Sequence, residues 1–437
     1  MAGHPDHGGD AGAAGQQKHK LMGAPKVLAV SYGGGHIGMI LPVIQELERH
    51  GINCLLLALT TGYSHARQSR LSRPGQTLGY KDFLHLVDRA AVYDWGMKLM
   101  ANNSSPDVPV DETIAYLGIN YLDLIEQFGE EGARQLYAKM GRYAFMPIPF
   151  MRRVLHEVAP DLTLATNSPR SEYAALYVSM ERGVPCVGMV DLFGQNGDTY
   201  VTREIRPNAT CVLSESVKVR LVEQGFLPNE VHVTGNPAFD RLFESDILDR
   251  AKKFKEQLGL GDVSPVLWAG NVEPSIAHRY RRHGMYGFAV TVEKVLRRYV
   301  ARHRDRALIV RYHPSQWHGF PKLPPQLRVH VSVALKEPIH EVILASAGVV
   351  VQNSTVGVQA AIAGKPVVSL ESAPSVAESF SLAQMGISYP CYAVKDLEEV
   401  VERSLTRQVP LAREFISDGK AACRVAHIIH GLMRKSA

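Results

Sequence analysis

Four short segments of this chain place polar side chains where chemistry could be done. The first is Ser31-Tyr-Gly-Gly-Gly-His36. Glycines such as Gly34 and Gly35 let a ligand approach the backbone closely, and the N-terminus of a following helix favours developing negative charge. His36 stands at the mouth of that turn, where a general base would take a proton from a hydroxyl. The alternative is a tight turn whose histidine only caps the helix. The second segment, Gly188-Met-Val-Asp-Leu-Phe193, ends an apolar run on Asp191. That carboxylate could orient His36, act as the base itself, bind an acceptor, or simply cap the next turn.

The third segment, Val310-Arg-Tyr-His-Pro314, sets His313 at the end of another apolar run. A histidine there can hydrogen-bond a phosphate or a base edge, although His-Pro pairs are common in loops. The fourth runs Val349-Val-Val-Gln-Asn-Ser-Thr-Val-Gly, with Ser354 and Thr355 opening a small-residue helix. Its exposed amides and hydroxyls would make a phosphate cradle without a Walker lysine. An ordinary capped helix carries the same residues. Asn271, in Trp268-Ala-Gly-Asn-Val-Glu273, and the following Arg279, Arg281 and Arg282 are further candidates for the phosphate side, or a solvated basic loop.

These segments need strand ends to hold them. Lys26 to Ser31 reads as a buried strand, Ile37 to His50 as a helix that stops at Gly51, and Ile52 to Ala58 as a second strand. That order is the signature of a parallel α/β sheet. Helical sequence follows from about Tyr80 to Leu155. Strand-like runs return at 162–166, 184–190, 209–213 and 231–234. After Gly259-Leu-Gly-Asp262 the alternation starts again, with strands expected at 266–269, 307–312, 328–331, 348–351 and 366–370. The expected architecture is α/β, with two doubly wound halves facing across a cleft. A flexible tail is expected over 1–24, one half over 25–245 and the other over 246–437, with a hinge near 240–262.

Composition excludes several classes. Hydrophobic residues make up 46% and charged residues 21% of 437, as in globular proteins, which rules out a fibrous or disordered chain. At ~150 residues per domain the length suits two or three domains. Five scattered cysteines without CxxC spacing imply neither a disulfide framework nor a zinc site, and make the reducing cytoplasm the expected compartment. No apolar run approaches the ~18 residues of a membrane span. The formal net charge is +5, yet nine Lys/Arg lie between His278 and Arg306 against Glu293 and Asp305. Such confinement does not suit a nucleic-acid partner. In the helix there, Phe288, Val292, Val295, Leu296 and Tyr299 form the expected buried stripe. Lys294, Arg297, Arg298 and Arg302 are left to an outer face, with a peripheral anionic or membrane contact open to it.

With its paired halves, its Gly-Gly-Gly-His36 turn and its strand–helix–Gly-Lys-Pro366 unit, the chain resembles the nucleotide-sugar glycosyltransferases of GT-B fold, with two Rossmann-like domains. Val233-Thr-Gly-Asn-Pro-Ala-Phe-Asp240 is similar to the inter-domain element of that fold's epimerase-like members. The resemblance implies a nucleotide-sugar donor as substrate and an unidentified acceptor. It further implies no cofactor and no metal, in keeping with the absence of Asp-x-Asp at a strand end. By it, His36 deprotonates the acceptor in an inverting reaction, Asp191 supports it, and Ser354, Thr355 and His313 hold phosphate. Gln359 departs from the ribose-binding glutamate that many UDP-sugar members carry at this place, although its neutral amide can still bond a ribose hydroxyl. His313-Pro314 with Ser354-Thr355 is similar to CMP-sugar enzymes of this fold. A UDP-sugar is the favoured donor and a CMP-sugar stays open. The rivals are a UDP-N-acetylglucosamine 2-epimerase-like enzyme, whose Glu-Ala-Gly-Leu-Arg segment is not found here, and a non-catalytic nucleotide-sugar-binding protein.

Overall fold

The computed structural model describes residues 26–436 except 70–74, 102, 104, 106, 192, 195–198, 203–204, 274–285, 314–315, 335, 378–379, 407–414 and 417. The tail expected over 1–24 lies outside the described residues. So do Arg279, Arg281 and Arg282.

Runs of apolar, β-forming residues become two parallel sheets. The first contains β1 (Lys26–Ser31), β2 (Asn53–Ala58), β3 (Thr77–Leu78), β4 (Leu162–Thr166), β5 (Cys186–Met189), β6 (Ala209–Val212) and β7 (Val231–Val233), in the order β3-β2-β1-β4-β5-β6-β7. The second contains β8 (Ser264–Gly270), β9 (Arg306–Tyr312), β10 (Val329–Val331), β11 (Gly348–Val351), β12 (Val367–Leu370) and β13 (Tyr389–Cys391), in the order β10-β9-β8-β11-β12-β13. Neighbouring strands pair in parallel throughout both sheets, with Val27 opposite Leu162 and Val350 opposite Trp268. Burial on both faces explains why these strands are continuously apolar rather than alternating.

Each sheet grows outward on one side of its first strand and then jumps to the other side. The reversals fall between β1 and β4 and between β8 and β11. At such switch points the loops diverge and leave a crevice beyond the carboxyl ends of the strands. The candidate segments after β1, β8 and β11 therefore all reach a crevice of this kind.

Helices cover both faces of the first sheet. Gly34–Arg49 buries Ile37, Ile40, Val43 and Leu47 on one face, and the last helix, Ala421–Ser436, adds Val425 and Ile429 beside them. The carboxylate of Asp240 accepts from the amides of Ala421 and Ala422, at 3.0 and 2.8 Å, and so caps that last helix. Phe415, just before it, forms an antiparallel bridge with Ser214. The opposite face carries Val110–Met140, Ile148–Val158 and Ser171–Glu181. There Tyr80 meets Tyr116 edge-on at 5.3 Å and stacks on Phe150 at 4.9 Å.

Three details differ from the sequence-based expectation. Strands β3 and β13 are two and three residues long, too short to leave a pattern, and β13 contains Pro390. Arg297 is not on an outer face. It is buried in the second half, paired with Glu293 at 2.7 Å, because its guanidinium is neutralised there and also donates to the carbonyl of Pro324. Phe288 is only half-buried, whereas Val292, Leu296 and Tyr299 form the core stripe as expected. Among the described residues, no helix is long and apolar enough to cross a membrane.

Candidate active site

The turn after β1 is shaped by contact with the turn after β2. A Cβ on Gly33 would lie 2.2 Å from the Thr61 hydroxyl oxygen, and one on Gly62 would lie 2.9 Å from the Tyr32 carbonyl. Only glycine fits at both places. Gly34 opens the helix, and a Cβ on Gly35 would meet nothing within 4 Å, so the helix start is open to a ligand. The amide of His36 donates to the Gly33 carbonyl at 3.1 Å, which fixes the histidine in the first helical turn.

The structure brings His36 and Asp191 together. Nε2 of His36 lies 3.8 Å from Oδ2 of Asp191, with the two side chains 23% and 30% exposed. That separation is an ion-pair distance, too long for a hydrogen bond, and it leaves both groups accessible to a substrate. Asp191 is held through its backbone. Its amide donates to Oδ1 of Asn167 at 3.2 Å, and its carbonyl accepts from Nδ2 of Asn236 at 2.9 Å. Oδ1 of Asn236 in turn accepts from the amide of Ala238 at 2.9 Å. The Thr234-Gly-Asn236 turn thus acts on the position of Asp191.

A third acid stands beside this pair. Glu172, in the first turn of Ser171–Glu181, is fully buried, and its Oε1 accepts from the amide of Tyr32 at 2.5 Å. Burial pushes its carboxyl above the ordinary range, and the nearby charges of His36 and Arg170 oppose that rise. The Arg170 guanidinium lies over the Tyr32 ring at 4.4 Å. Sequence reasoning missed Glu172 and Asn167, and it marked the Thr234-Gly-Asn236 turn as an inter-domain element without its hold on Asp191. A glutamate in the first turn of a helix is common for dipole reasons alone, so it carried no signal.

In the second half, β9, β8 and β11 lie side by side and bring their end residues together. The amide of His313 donates to the Gly270 carbonyl at 3.1 Å, and His313 itself is exposed. Asn271 is gripped at both backbone groups by the Gln352 amide. Its N–H donates to Oε1 at 2.6 Å and its carbonyl accepts from Nε2 at 3.1 Å. Gln352 also donates to Glu273, whose carboxylate accepts from the amide and hydroxyl of Ser375 at 2.6 and 2.9 Å. Ser354 caps the helix Thr355–Ile362, with its Oγ accepting from the Val356 amide at 3.2 Å. Gln359 sits one turn further on, buried, with its Oε1 unpartnered. Gln352 and Glu273 are the organising residues that sequence reasoning left out. Among the described residues, no group of three or more His, Cys, Asp or Glu is placed to hold a metal ion.

Residues at the carboxyl ends of the two sheets also touch across the divide. Phe193, two residues beyond Asp191, meets Phe380 edge-on at 4.6 Å, and His318 after β9 approaches Asp107 at 3.9 Å. Two parallel α/β sheets, each with a switch point beside its first strand and with contacts between their carboxyl ends, define the GT-B fold. Within that class, the chain belongs to the UDP-N-acetylglucosamine 2-epimerase family, whose model matches residues 208–430.

Solved structures agree on the fold. UDP-GlcNAc 2-epimerase from Methanocaldococcus jannaschii, in complex with UDP-GlcNAc and UDP, is similar over 93% of this chain and 99% of its own, at 15% identity and a TM-score of 0.59. The Neisseria meningitidis UDP-GlcNAc 2-epimerase bound to UDP-GlcNAc gives 15% identity and a TM-score of 0.57, covering 93% and 100%. The glycotransferase of kitacinnamycin gives 14% identity and a TM-score of 0.52, covering 94% and 100%. No curated protein matches the chain significantly in sequence.

Proposed function

We propose that this chain transfers a sugar from a UDP-sugar to a hydroxyl acceptor, with inversion and without a metal ion. His36 takes the acceptor proton at Nε2 as the acceptor oxygen bonds to the anomeric carbon. The anomeric C–O bond breaks toward the diphosphate, which leaves with the electron pair. The helix start at Ser354 and Thr355 offers amides to that diphosphate, with Asn271 and His313 beside it and Gln359 toward the ribose.

One observation carries this reading. The family match begins at residue 208, so it covers the second sheet and only the last two strands of the first, and does not reach His36, Glu172 or Asp191. That pattern supports a reading in which the nucleotide is held by the second half, within the matched segment, and the reacting groups are supplied by the first half. The similar structures that hold UDP-GlcNAc and UDP support the choice of nucleotide. The second reading is epimerisation at C2, favoured by the family itself. That reaction needs acids and bases for both elimination and re-addition.

Incubating the full chain with UDP-GlcNAc in deuterated buffer separates the two. Transfer to water or to an added acceptor releases UDP and leaves C2 protonated, and His36→Ala lowers UDP release by roughly 10²–10⁴-fold. Deuterium at C2 together with the 2-epimer overturns the transferase reading. Full activity in His36→Ala overturns the assignment of the base.

A further inference from the structure

Five carboxylates among the described residues are almost completely buried: Glu112, Asp123, Glu172, Glu273 and Glu293. Four of them have both oxygens engaged. Glu112 accepts from the amides of Tyr80 and Lys81, and Asp123 from the Phe150 amide and Gln127. Glu273 is taken up by Gln352 and Ser375, and Glu293 by Arg297 and Tyr312. Glu172 differs. Its Oε1 holds the Tyr32 amide, and its Oε2 has no partner. A buried carboxylate oxygen left unpaired is costly, so an arrangement that preserves one calls for an explanation.

The ring of His36 carries the matching vacancy. Its Nε2 faces Asp191, whereas its Nδ1 is buried without a partner. Both unpaired atoms border the Tyr32–His36 turn, Glu172 through its bond to the first residue and the imidazole as the last. Of the charges acting on Glu172, that of His36 has the largest effect, ahead of Arg170. Tyr116 Oη and Arg170 Nε are likewise without a partner.

We propose that Glu172, rather than Asp191, is the positioning carboxylate of His36: Oε2 accepts a hydrogen bond from Nδ1–H, leaving Nε2 as the acceptor toward the cleft. The role requires the imidazole to rotate so that Nδ1 meets Oε2. Asp191 then belongs to the substrate side, where its exposure puts it within reach of an acceptor group. When Nε2 takes the acceptor's proton, the imidazolium lies between two carboxylates. Glu172 holds the ring in one tautomer and stabilises the charge, as an orienting carboxylate does in hydrolytic triads.

This role rests on His36 acting as the base, so its test includes a readout independent of turnover. The full chain labelled with ¹⁵N-histidine gives ring-nitrogen signals for His36, assigned by their loss in His36→Ala. The expected signals are a protonated Nδ1 and an unprotonated Nε2, with Glu172→Gln shifting that balance toward protonated Nε2. Glu172→Gln also lowers the turnover number about 10²-fold or more with KM unchanged. Tyr116→Phe leaves the ring signals in place. Nε2 protonated in the native chain, or ring signals unmoved in Glu172→Gln, overturns the proposal even where UDP release confirms His36 as the base. Should Glu172→Gln fail to fold, Glu172→Asp, which keeps the charge and shortens its reach, is expected to shift the signals part way. Unmoved signals in that variant overturn the proposal equally.

Discussion

Asn236 donates from its side-chain amide to the main-chain carbonyl of Asp191 at 2.9 Å, across 45 residues of sequence. The turn that leads out of the first sheet therefore sets the height of an acid in the cleft. Asn236 is nearly buried, so no solvent replaces the bond when it is lost. Asn236→Ala is expected to cost about 1–3 kcal/mol of stability. Activity should fall further than that loss explains, roughly tenfold, because Asp191 shifts against His36. Chemical denaturation and steady-state rates on one preparation check both parts.

The contact between Gly33 and Thr61 invites a paired test. Gly33→Ala drives a methyl into the Thr61 hydroxyl and is expected to destabilise the chain by about 1–3 kcal/mol. With Thr61→Ala the nearest obstructing atom is the Thr61 Cβ position at 3.6 Å, ordinary contact. The double variant should recover most of the loss. A double-mutant cycle of denaturation midpoints gives the coupling, and additivity would contradict the steric account.

Asp123 lends the fold a pH dependence of definite sign. Burial pushes its carboxyl up to about 7 from an ordinary 3.8. The folded chain therefore binds the proton that the unfolded chain has lost between those values. Its contribution is fully present below about pH 3.8 and disappears as pH rises through about 7. Urea midpoints measured from pH 5 to 7 should fall with pH, and Asp123→Asn should flatten that slope.

Gln352 offers a test of the nucleotide side. Gln352→Leu keeps the volume and frees both backbone groups of Asn271. The UDP-induced rise in melting temperature should shrink in this variant, since a loosened loop binds less tightly and stabilises less by mass action. Ser354→Ala should lower the melting temperature itself, by the loss of a cap worth about 1 kcal/mol. An unchanged response to UDP in both would place the nucleotide elsewhere.

Much of this architecture is legible in sequence because of how it is buried. Val27–Val30 and Leu308–Val310 are uninterrupted apolar runs, as strands covered on both faces must be, and each ends on a polar or glycine-rich segment. His36 and Asp191 can be assigned to one cleft because residues after parallel strands share an edge. Glu172 escapes that logic, and Asn167, although it follows β4, has no mark that sets it apart from other polar residues at that edge. Their roles depend on which turn lies opposite, and the reversal between β1 and β4 brings Tyr32 near Glu172 across 140 residues. Arg297 misleads for a similar reason, since its place in the helix suggests solvent and only Glu293 beside it explains its burial.

The last helix has a mechanical consequence. The chain leaves the first sheet near Asp240, builds the second sheet, and comes back to lay Ala421–Ser436 against Gly34–Arg49, with Asp240 itself gripping the returning end. Two bodies tied together at neighbouring points behave like a door on paired pivots. They swing about the line joining the pivots and resist shear. Any displacement of Ser354 relative to His36 would thereby be confined to rotation about that one line, which runs beside Asp240.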